Sequence, residues 1–208
     1  MNKLKRTLAI LLCLVTAFGA FSACAKKPDN EENKDAKLIG NEPITVDDTD
    51  VYLVNGGKSD YKIVVSADAT RIEKHAAEEL KSFIEKSTAV KLPITDDKEV
   101  SHDNNAHYIS VGSTKLLAAE TDIKVDYEEL GENGVIVKTQ GNCVYVTGAT
   151  ENGTLFAVYR FLHYQVGYEA YAYDCVEVDY FKSLKLKNFD YKHVPSLGLT
   201  TAEDGELS

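Results

Sequence analysis

The chain has 208 residues, of which 44% are hydrophobic, and its 33 acidic residues outnumber 23 basic ones, for a formal net charge of −10. This length is enough for one domain with a hydrophobic core, and too short for the two lobes with which a solute-binding protein closes around a ligand. The acidic balance argues against nucleic acid as a partner and against electrostatic attachment to anionic lipid headgroups.

Residues 1–23 have the pattern of a bacterial lipoprotein signal peptide. Basic residues precede an apolar run over 8–21 that is too short for a membrane-spanning helix. Cleavage before Cys24 would leave a lipid-modified cysteine as the new first residue. Phe21 stands where leucine is usual, and simple secretion is the alternative. Either process predicts an extracytoplasmic protein, and lipidation predicts a cell-membrane anchor through the N-terminal lipid only.

The next segment, residues 24–55, is predicted to be a disordered tether, because it is polar and lacks the apolar periodicity needed to bury surface. Its acidic residues Asp47, Asp48 and Asp50 could be read as a cation site. The cluster has no glycine at the turn position of a calcium loop, so a solvated acidic face is the favoured interpretation.

Residues 56–195 are predicted to form one domain in which strands and helices alternate. Thr70 and Glu73 form the capping-box pattern that starts a helix. Pro93 cannot donate to a ladder, which makes its strand an edge candidate. The first half contains, in order, a strand at 61–65, a helix from residue 70, strands at 92–94 and 107–112, and a short helix at 113–120.

The second half of this domain begins with a hairpin and continues into a long aromatic helix. Thr150 and Asn152 offer oxygens to the free N–H groups of the helix start, and Gly167 ends the helix. The predicted apolar stripe consists of residues at three- and four-residue steps: Leu155, Val158, Tyr159, Leu162 and Val166. Two strands are predicted before the helix, at 134–138 and 142–146. After the helix, one strand is predicted directly following Gly167, and shorter extended segments at 175–178 and 183–186.

These patterns predict an α/β (α+β) fold, namely a two-layer sandwich of a mixed β-sheet with two main helices on one face. Alternation of strands and helices favours parallel pairing, whereas the hairpin must be antiparallel, so the sheet is mixed.

A family resemblance becomes specific at the long helix. Residues 152–162 (NGTLFAVYRFL), followed by Val166-Gly167-Tyr168 and Tyr171-Ala172, resemble the G-T-L-Y-A-V-Y-x-F-L…G-x-R-W-Y pattern of the N-terminal, non-catalytic domain of bacterial α-glucuronidases of glycoside hydrolase family 67. That domain is similar to the one preceding the barrel in family 20 β-hexosaminidases. The resemblance spans about 61–195. Tyr168-Glu169-Ala170 stands where an Arg-Trp pair is common, so no docking or sugar-contact role of that pair is transferred.

The resemblance implies that the catalytic acids lie in a (β/α)₈ barrel, in cis or from a neighbouring gene, and that residues 196–208 are the start of that barrel. The acidic clusters at 96–99 and 128–132 are interpreted as surface runs, because neither has the apolar and aromatic neighbours that raise a carboxyl pKa. No catalytic residue, cofactor or metal is predicted, and the chain by itself is expected to hydrolyse nothing.

Histidines and cysteines leave two further alternatives. His102 and His107 could suggest a zinc site, but they lie in a polar connection and at a strand start, so structural histidines are favoured. Beyond the signal peptide and Cys24, the chain has Cys143 and Cys175. An extracytoplasmic disulfide between them and two separate thiols both remain open.

Tyrosine is abundant, with 12 residues and no tryptophan, and four tyrosines cluster near the end of the long helix: Tyr164, Tyr168, Tyr171 and Tyr173. A docking surface for a catalytic barrel is favoured over a sugar-stacking platform, because exposed aromatic patches usually mark interfaces. Two functions stay open. One is a surface-anchored accessory domain of a glycoside hydrolase of polysaccharide breakdown; the other is a stand-alone lipoprotein that binds a glycan or a protein.

Overall fold

A computed structural model describes residues 46–120, 122–172 and 175–194. The signal peptide, Cys24, Tyr173 and residues 196–208 lie outside the described residues. The elements are β1 (Asp48–Val54), β2 (Lys62–Val65), α1 (Arg71–Thr88), β3 (Ile94–Asp96), β4 (Tyr108–Val111), α2 (Lys115–Ala119), α3 (Tyr127–Leu130), β5 (Val135–Gln140), β6 (Cys143–Gly148), α4 (Glu151–Val166), β7 (Glu169–Ala172), β8 (Cys175–Glu177), β9 (Leu184–Lys187) and β10 (Asp190–His193). Within this part of the chain, every helix is too short or too polar to cross a membrane.

A six-stranded mixed sheet forms the centre of the domain, with strand order β10-β5-β6-β4-β2-β3. Strands β3, β2, β4 and β6 run parallel, whereas β5 is antiparallel to both β6 and β10. The predicted hairpin is the β5–β6 pair, and the strand after Pro93 lies at the sheet edge, as predicted. The opposite edge strand, β10, was missed by the sequence analysis.

Helices α1 and α4 pack on the same face of this sheet, which confirms the predicted two-layer arrangement. Ile109 and Val111 of β4 join the large core beneath these helices, whereas Tyr108 belongs to a smaller cluster on the opposite face. That second face is covered by Leu116 and Leu117 of α2. Alternation along the strand therefore places an apolar set on each face, and both faces are covered.

Both main helices begin at predicted caps. Thr70 Oγ1 accepts a hydrogen bond from Glu73 N at 3.1 Å, and Glu73 Oε2 accepts one from Thr70 N at 2.9 Å, so the capping box is complete. Thr150 Oγ1 accepts from Gly153 N at 3.0 Å and is the cap residue of α4. These bonds satisfy N–H groups that a helix start leaves free.

The buried face of α4 differs from the predicted stripe. Phe161 is fully buried, and its ring centroid lies 5.2 Å from that of Phe189, whereas Leu155 is only partly buried. The difference arises because α4 packs against β9 and the Phe189 segment as well as against the sheet. Gln165, also buried, fixes this second contact: its Nε2 donates to Lys185 O at 2.7 Å, and its Oε1 accepts from Lys187 N at 3.0 Å.

The predicted tether is wrong at its C-terminal end, because residues 48–54 form β1 and pair antiparallel with β9. Its side chains explain the pairing. Leu53 and Val54 are fully buried, and Lys187 Nζ lies 3.2 Å from Asp48 Oδ1. The apolar burial stabilises the strand more than the exposed ion pair does. The acidic cluster therefore belongs to a strand surface facing the lysines of β9.

Candidate functional site

The outer side of α4 borders a groove of about 470 Å³. The side chains that define it are Phe156, Tyr159, Arg160, His163, Tyr168 and His193. Most of them come from α4, because residues three and four apart lie on one side of a helix. His193 comes from the end of β10. The groove is open to solvent at Phe156, whose side chain is 46% exposed.

Two tyrosines form a fixed wall of this groove. The rings of Tyr159 and Tyr168 stack with centroids 5.3 Å apart and an interplanar angle of 23°, and Phe83 meets Tyr168 edge-on at 4.8 Å. Tyr159 Oη donates to Glu79 Oε2 at 3.0 Å. Burial and the neighbouring Glu79 carboxylate raise the pKa of Tyr159. The wall therefore presents ring surface and keeps its hydroxyl proton.

The polar groups of the groove differ in how they are satisfied. His163 Nδ1 lies 3.1 Å from Tyr168 O and 3.1 Å from Glu169 Oε1, so this nitrogen carries a proton and donates. Burial and the charge of Arg160 lower the pKa of His193, which keeps that ring neutral at neutral pH. The guanidinium of Arg160 makes neither a hydrogen bond nor an ion pair with any described residue. Arg160 is thus the free cation of the groove as described.

The four tyrosines singled out from the sequence do not form one patch in the described residues. Tyr168 lies in the groove. Tyr164 is partly buried, contacts Tyr191 at a centroid distance of 6.1 Å, and lines a neighbouring depression of about 520 Å³. Tyr171 is 68% exposed on β7, beside a third depression. Tyr173 lies outside the described residues, so its predicted role stays a prediction.

Sequence reasoning missed most of the groove. Tyr159 was assigned to the apolar stripe of α4, Phe156 entered only as part of the family motif, and Arg160, His163 and His193 were not singled out. A signal was available in the sequence, namely an arginine between two aromatic residues, Tyr159 and Phe161, in a helix without other Lys or Arg residues. What the sequence could not show is that β10 brings His193 alongside it.

One acidic run was interpreted wrongly, because Asp97 is buried with 4% exposure. Its Oδ1 accepts from Ala67 N at 3.1 Å and its Oδ2 from Lys115 N at 2.8 Å. Burial by itself would raise the pKa of Asp97, but these N–H groups hold it below its ordinary value of 3.8. Asp97 therefore joins the loop after β2 to the start of α2 as an ionised acceptor.

Glu73 has a similar role at the carboxyl ends of the parallel strands. It is 8% exposed, and its Oε1 accepts from Ser113 N at 3.3 Å while Oε2 completes the capping box. Gly112 has φ +75°, and a Cβ at that position would lie 2.4 Å from Glu73 Oε1. The close approach shows that this carboxylate fills the space between α1 and the end of β4.

A polar network lies on the opposite face of the sheet. Tyr108 Oη and Tyr145 Oη are 2.8 Å apart, and the amide of Asn104 donates to Glu120 Oε2 at 3.0 Å. His102 Nε2 lies 3.3 Å from the same oxygen. Burial would raise the pKa of Glu120, but the hydrogen bonds it accepts and the nearby His102 lower it. The network is a structural brace beneath the loop that precedes β4.

The remaining candidates for metal and disulfide chemistry are separated in the structure. His107 packs edge-on against Tyr61 with ring centroids 5.1 Å apart, away from the His102 carboxylate contact. In residues 46–120, 122–172 and 175–194, there is no group of three or more His, Cys, Asp or Glu side chains that could hold a metal ion. Cys143 is a buried free thiol and Cys175 an exposed one, so the structure has two separate thiols and not the disulfide.

Comparison with known families places this domain. Residues 55–161 match the model described as glycosyl hydrolase family 67 N-terminus. The chain therefore belongs to that family of N-terminal domains, and the resemblance seen in the sequence is confirmed. The match extends from the end of β1 into α4 and includes Phe156, Tyr159 and Arg160. No curated protein matches the chain.

Solved structures of several glycoside hydrolases are also similar. A family GH115 4-O-methyl-α-glucuronidase with specificity for decorated arabinogalactans is 14% identical over 53% of this chain and 14% of its own, with a TM-score of 0.40. The GH20 β-N-acetylhexosaminidase from Streptomyces coelicolor A3(2) is 13% identical over 69% and 25%, with a TM-score of 0.38. The N-acetyl-β-hexosaminidase of Streptomyces plicatus is 16% identical over 57% and 19%, with a TM-score of 0.34. This chain spans a quarter or less of their lengths.

Proposed function

We propose that this chain is a non-catalytic accessory domain of a carbohydrate-active glycoside hydrolase of the α-glucuronidase or β-hexosaminidase type. Its task is to seat a catalytic (β/α)₈ barrel supplied in cis or by a neighbouring gene. The observation that carries the proposal is the open aromatic groove beside α4, located where the chain leaves the described domain. Membership of the family 67 N-terminal domains supports the pairing with a catalytic domain.

The position of the groove suits a docking role. Strand β10 ends at His193, which lines the groove, and Val194 directly after it is 41% exposed. The last described residues of the domain therefore lie beside the groove. An aromatic groove with an exposed ring such as Phe156 is typical of an interface.

The buried carboxylates support a structural role for this domain. A glycosidase general acid needs a raised pKa so that it is protonated near neutral pH. Asp97 and Glu120 are buried and have lowered pKa values, because both accept hydrogen bonds. They act as permanent acceptors for neighbouring groups, so the reactive acids are assigned to the barrel.

We further propose that the mature protein is extracytoplasmic and is anchored to the cell membrane by a lipid on Cys24. This rests on the N-terminal signal pattern described above. Metabolic labelling with a radioactive or alkyne-modified fatty acid tests it, since the label should be incorporated by the natural chain and lost in Cys24→Ser. Incorporation of the fatty-acid label into the Cys24→Ser variant would contradict the lipid anchor.

The decisive experiment for the docking function has two parts. The DNA beyond the Ser208 codon is expected to encode a barrel, in frame or in the next gene. That domain, expressed with the full chain, should then co-purify with it, and aryl glucuronides or aryl N-acetylglucosaminides should be hydrolysed only when the barrel is present. An unrelated downstream gene, or turnover by the pure chain, would contradict the proposal.

The alternative is a stand-alone lipoprotein that binds a glycan or a protein. The exposure of Phe156 and Tyr171 favours it, since exposed rings can stack on pyranose faces. It predicts that the chain without any partner is retained on immobilised polysaccharide and that Phe156→Ala releases it. If the chain is retained on none of the polysaccharides and a barrel co-purifies with it, the stand-alone binding function is contradicted and the docking function is supported.

A further inference from the structure

Most of the cations that have no partner among the described residues are exposed, such as Arg71 and Lys74, whereas Arg160 is partly buried in the groove. Several surface lysines have carboxylate partners, for example Lys138 with Asp190 at 2.7 Å and Lys81 with Glu78 at 2.6 Å. Arg160 is partly buried and lines the groove, but it makes no hydrogen bond or ion pair within residues 46–120, 122–172 and 175–194. A guanidinium has five N–H donors, and its planar fork matches a carboxylate.

The acidic group nearest in the groove is already engaged. Glu169 lies 3.1 Å from His163 Nδ1, a group that donates. The imidazole of His193 is held neutral by burial and by the charge of Arg160. Apart from the Glu169 carboxylate, the described lining around Arg160 is uncharged and includes Phe156 one turn earlier on α4. An incoming carboxylate would meet little competition there.

The lining of the groove favours a protein over a sugar as its occupant. A sugar needs several hydrogen-bond partners for its hydroxyl groups, and two polar side chains of the lining, His163 and Glu169, already contact each other. The ring and aliphatic surface comes from Phe156, Tyr159, Tyr168 and Val135. Tyr159 Oη is occupied by Glu79. The described chain ends at Val194, next to His193 of the groove lining, so a domain attached after it would be tethered close to Arg160.

We infer that Arg160 receives a carboxylate of the docked catalytic domain, and that an apolar side chain beside this carboxylate covers Phe156. This inference rests on the proposed docking function and specifies its chemistry. The chain has a net charge of −10, so an acidic partner face gains attraction only at a local cation such as Arg160. The arginine thereby selects the orientation in which the barrel is seated.

Phenylacetate is a suitable probe, since it joins an apolar ring to a carboxylate, and phenylacetamide is its neutral counterpart. In nuclear magnetic resonance titrations of the ¹⁵N-labelled full chain, phenylacetate should shift the Arg160 Nε–H signal and backbone amides of 156–163. Phenylacetamide should bind more weakly. Arg160→Gln should weaken phenylacetate binding roughly tenfold, as expected for loss of a charge-assisted hydrogen bond. Arg71→Gln, which removes an exposed arginine elsewhere, should leave it unchanged.

Several outcomes would overturn the inference. Equal binding of phenylacetate and phenylacetamide, or equal binding by wild type and Arg160→Gln, would remove the role of the charge. Tighter binding of glucuronate than of phenylacetate would make the occupant a sugar. Self-association of the chain that Arg160→Gln abolishes would make the occupant a second copy.

A separate measurement distinguishes failure of this inference from failure of the docking function. The downstream barrel is titrated onto wild type and Arg160→Gln. Equal affinity for both variants would contradict the inference and leave docking intact. A barrel that binds neither variant would contradict docking, even if phenylacetate still binds at Arg160. Weaker binding by Arg160→Gln, with an affinity less sensitive to salt, is the expected result.

Discussion

Charged side chains at the carboxyl edge of the parallel strands have hydrogen-bond partners within the domain, whereas Arg160 on the outer side of α4 has none among the described residues. At the edge, where open α/β sheets usually bind ligands, Glu73 and Asp97 accept backbone N–H groups of this same chain. Beside α4, Phe156 is exposed and Arg160 has no partner among the described residues. The contrast shows that Glu73 and Asp97 hold the described structure together, whereas the groups left accessible beside α4 lie on the surface for which we propose a docking role.

The largest expected effect is a difference in the free energy of unfolding between two phenylalanine variants, one on the buried side of α4 and one on its exposed side. Phe161→Ala should lower the free energy of unfolding by about 3–5 kcal/mol, because it empties a fully buried position beside Phe189. Phe156→Ala should lower it by less than about 1 kcal/mol, because the ring is 46% exposed. Urea denaturation followed by circular dichroism measures both. A similar loss for the two variants would show that the groove is not open.

A substitution at Gly112 tests the contacts of Glu73 at the carboxyl edge of the parallel strands. Gly112→Ala should lower the free energy of unfolding by about 3 kcal/mol, because the residue has φ +75° and its Cβ would displace the Glu73 carboxylate from the capping box. Gly57→Ala is the matched control: its φ is +78°, and nothing lies within 4 Å of the added Cβ, so only about 1 kcal/mol of backbone strain is expected. Equal losses would mean that Glu73 moves aside freely.

Asp97 adds a pH dependence to the same edge. Asp97→Asn should lower the free energy of unfolding by about 2 kcal/mol at pH 7, because one of two N–H groups loses its acceptor. The pKa of Asp97 is lower in the folded state, so its contribution is present above the ordinary value of 3.8 and is lost as the pH falls through the folded-state pKa. The difference from wild type should therefore shrink below about pH 4.

Urea titrations at pH 7 and pH 3 measure this change. Asp96→Asn serves as the control, since Asp96 accepts only a local bond from Lys98 N in an exposed turn. A difference between wild type and Asp97→Asn that grows toward acid pH would contradict the assigned role.

The smallest expected effect is a difference in the labelling rates of two cysteine thiols, which does not involve the stability of the domain. Burial raises the pKa of Cys143 to about 11, and its Sγ donates to Ala106 O at 3.1 Å, whereas Cys175 is exposed. In a chain carrying Cys13→Ser and Cys24→Ser, a thiol reagent at pH 8 should label Cys175 quickly and Cys143 only after unfolding. Mass spectrometry of the labelled peptides checks this. No rapid label on Cys175 in non-reducing conditions would indicate the disulfide after all.

Local signals in the sequence predicted the elements that depend on near neighbours. The capping box of Thr70 and Glu73 marks the start of α1, and Gly167 marks the end of α4, because a helix end is specified by residues within one turn. The β5–β6 hairpin follows from two apolar runs with a tight connection. The sequence motif on α4 also sufficed to indicate the family.

Other features depend on partners that are distant in the chain. β1 was assigned to the tether, since its acidic residues look solvated until β9 supplies Lys185 and Lys187. β10 carries no strong strand pattern and is defined by its pairing with β5. Asp97 was assigned to the surface, because no local pattern shows that N–H groups from Ala67 and Lys115 will converge on it.

By itself, the sequence determined the class of fold, the main helices and their caps, and the membership of a family of N-terminal glycoside hydrolase domains. The tertiary structure alone decided which acids are buried and that Arg160 has no partner in the groove among the described residues. The physical reason is that the sequence gives the position of a charged residue in the chain but not its solvent exposure or its neighbours in space. Its desolvation, its hydrogen-bond partners and its access to another molecule are fixed only when the sheet, α4 and β10 have packed together.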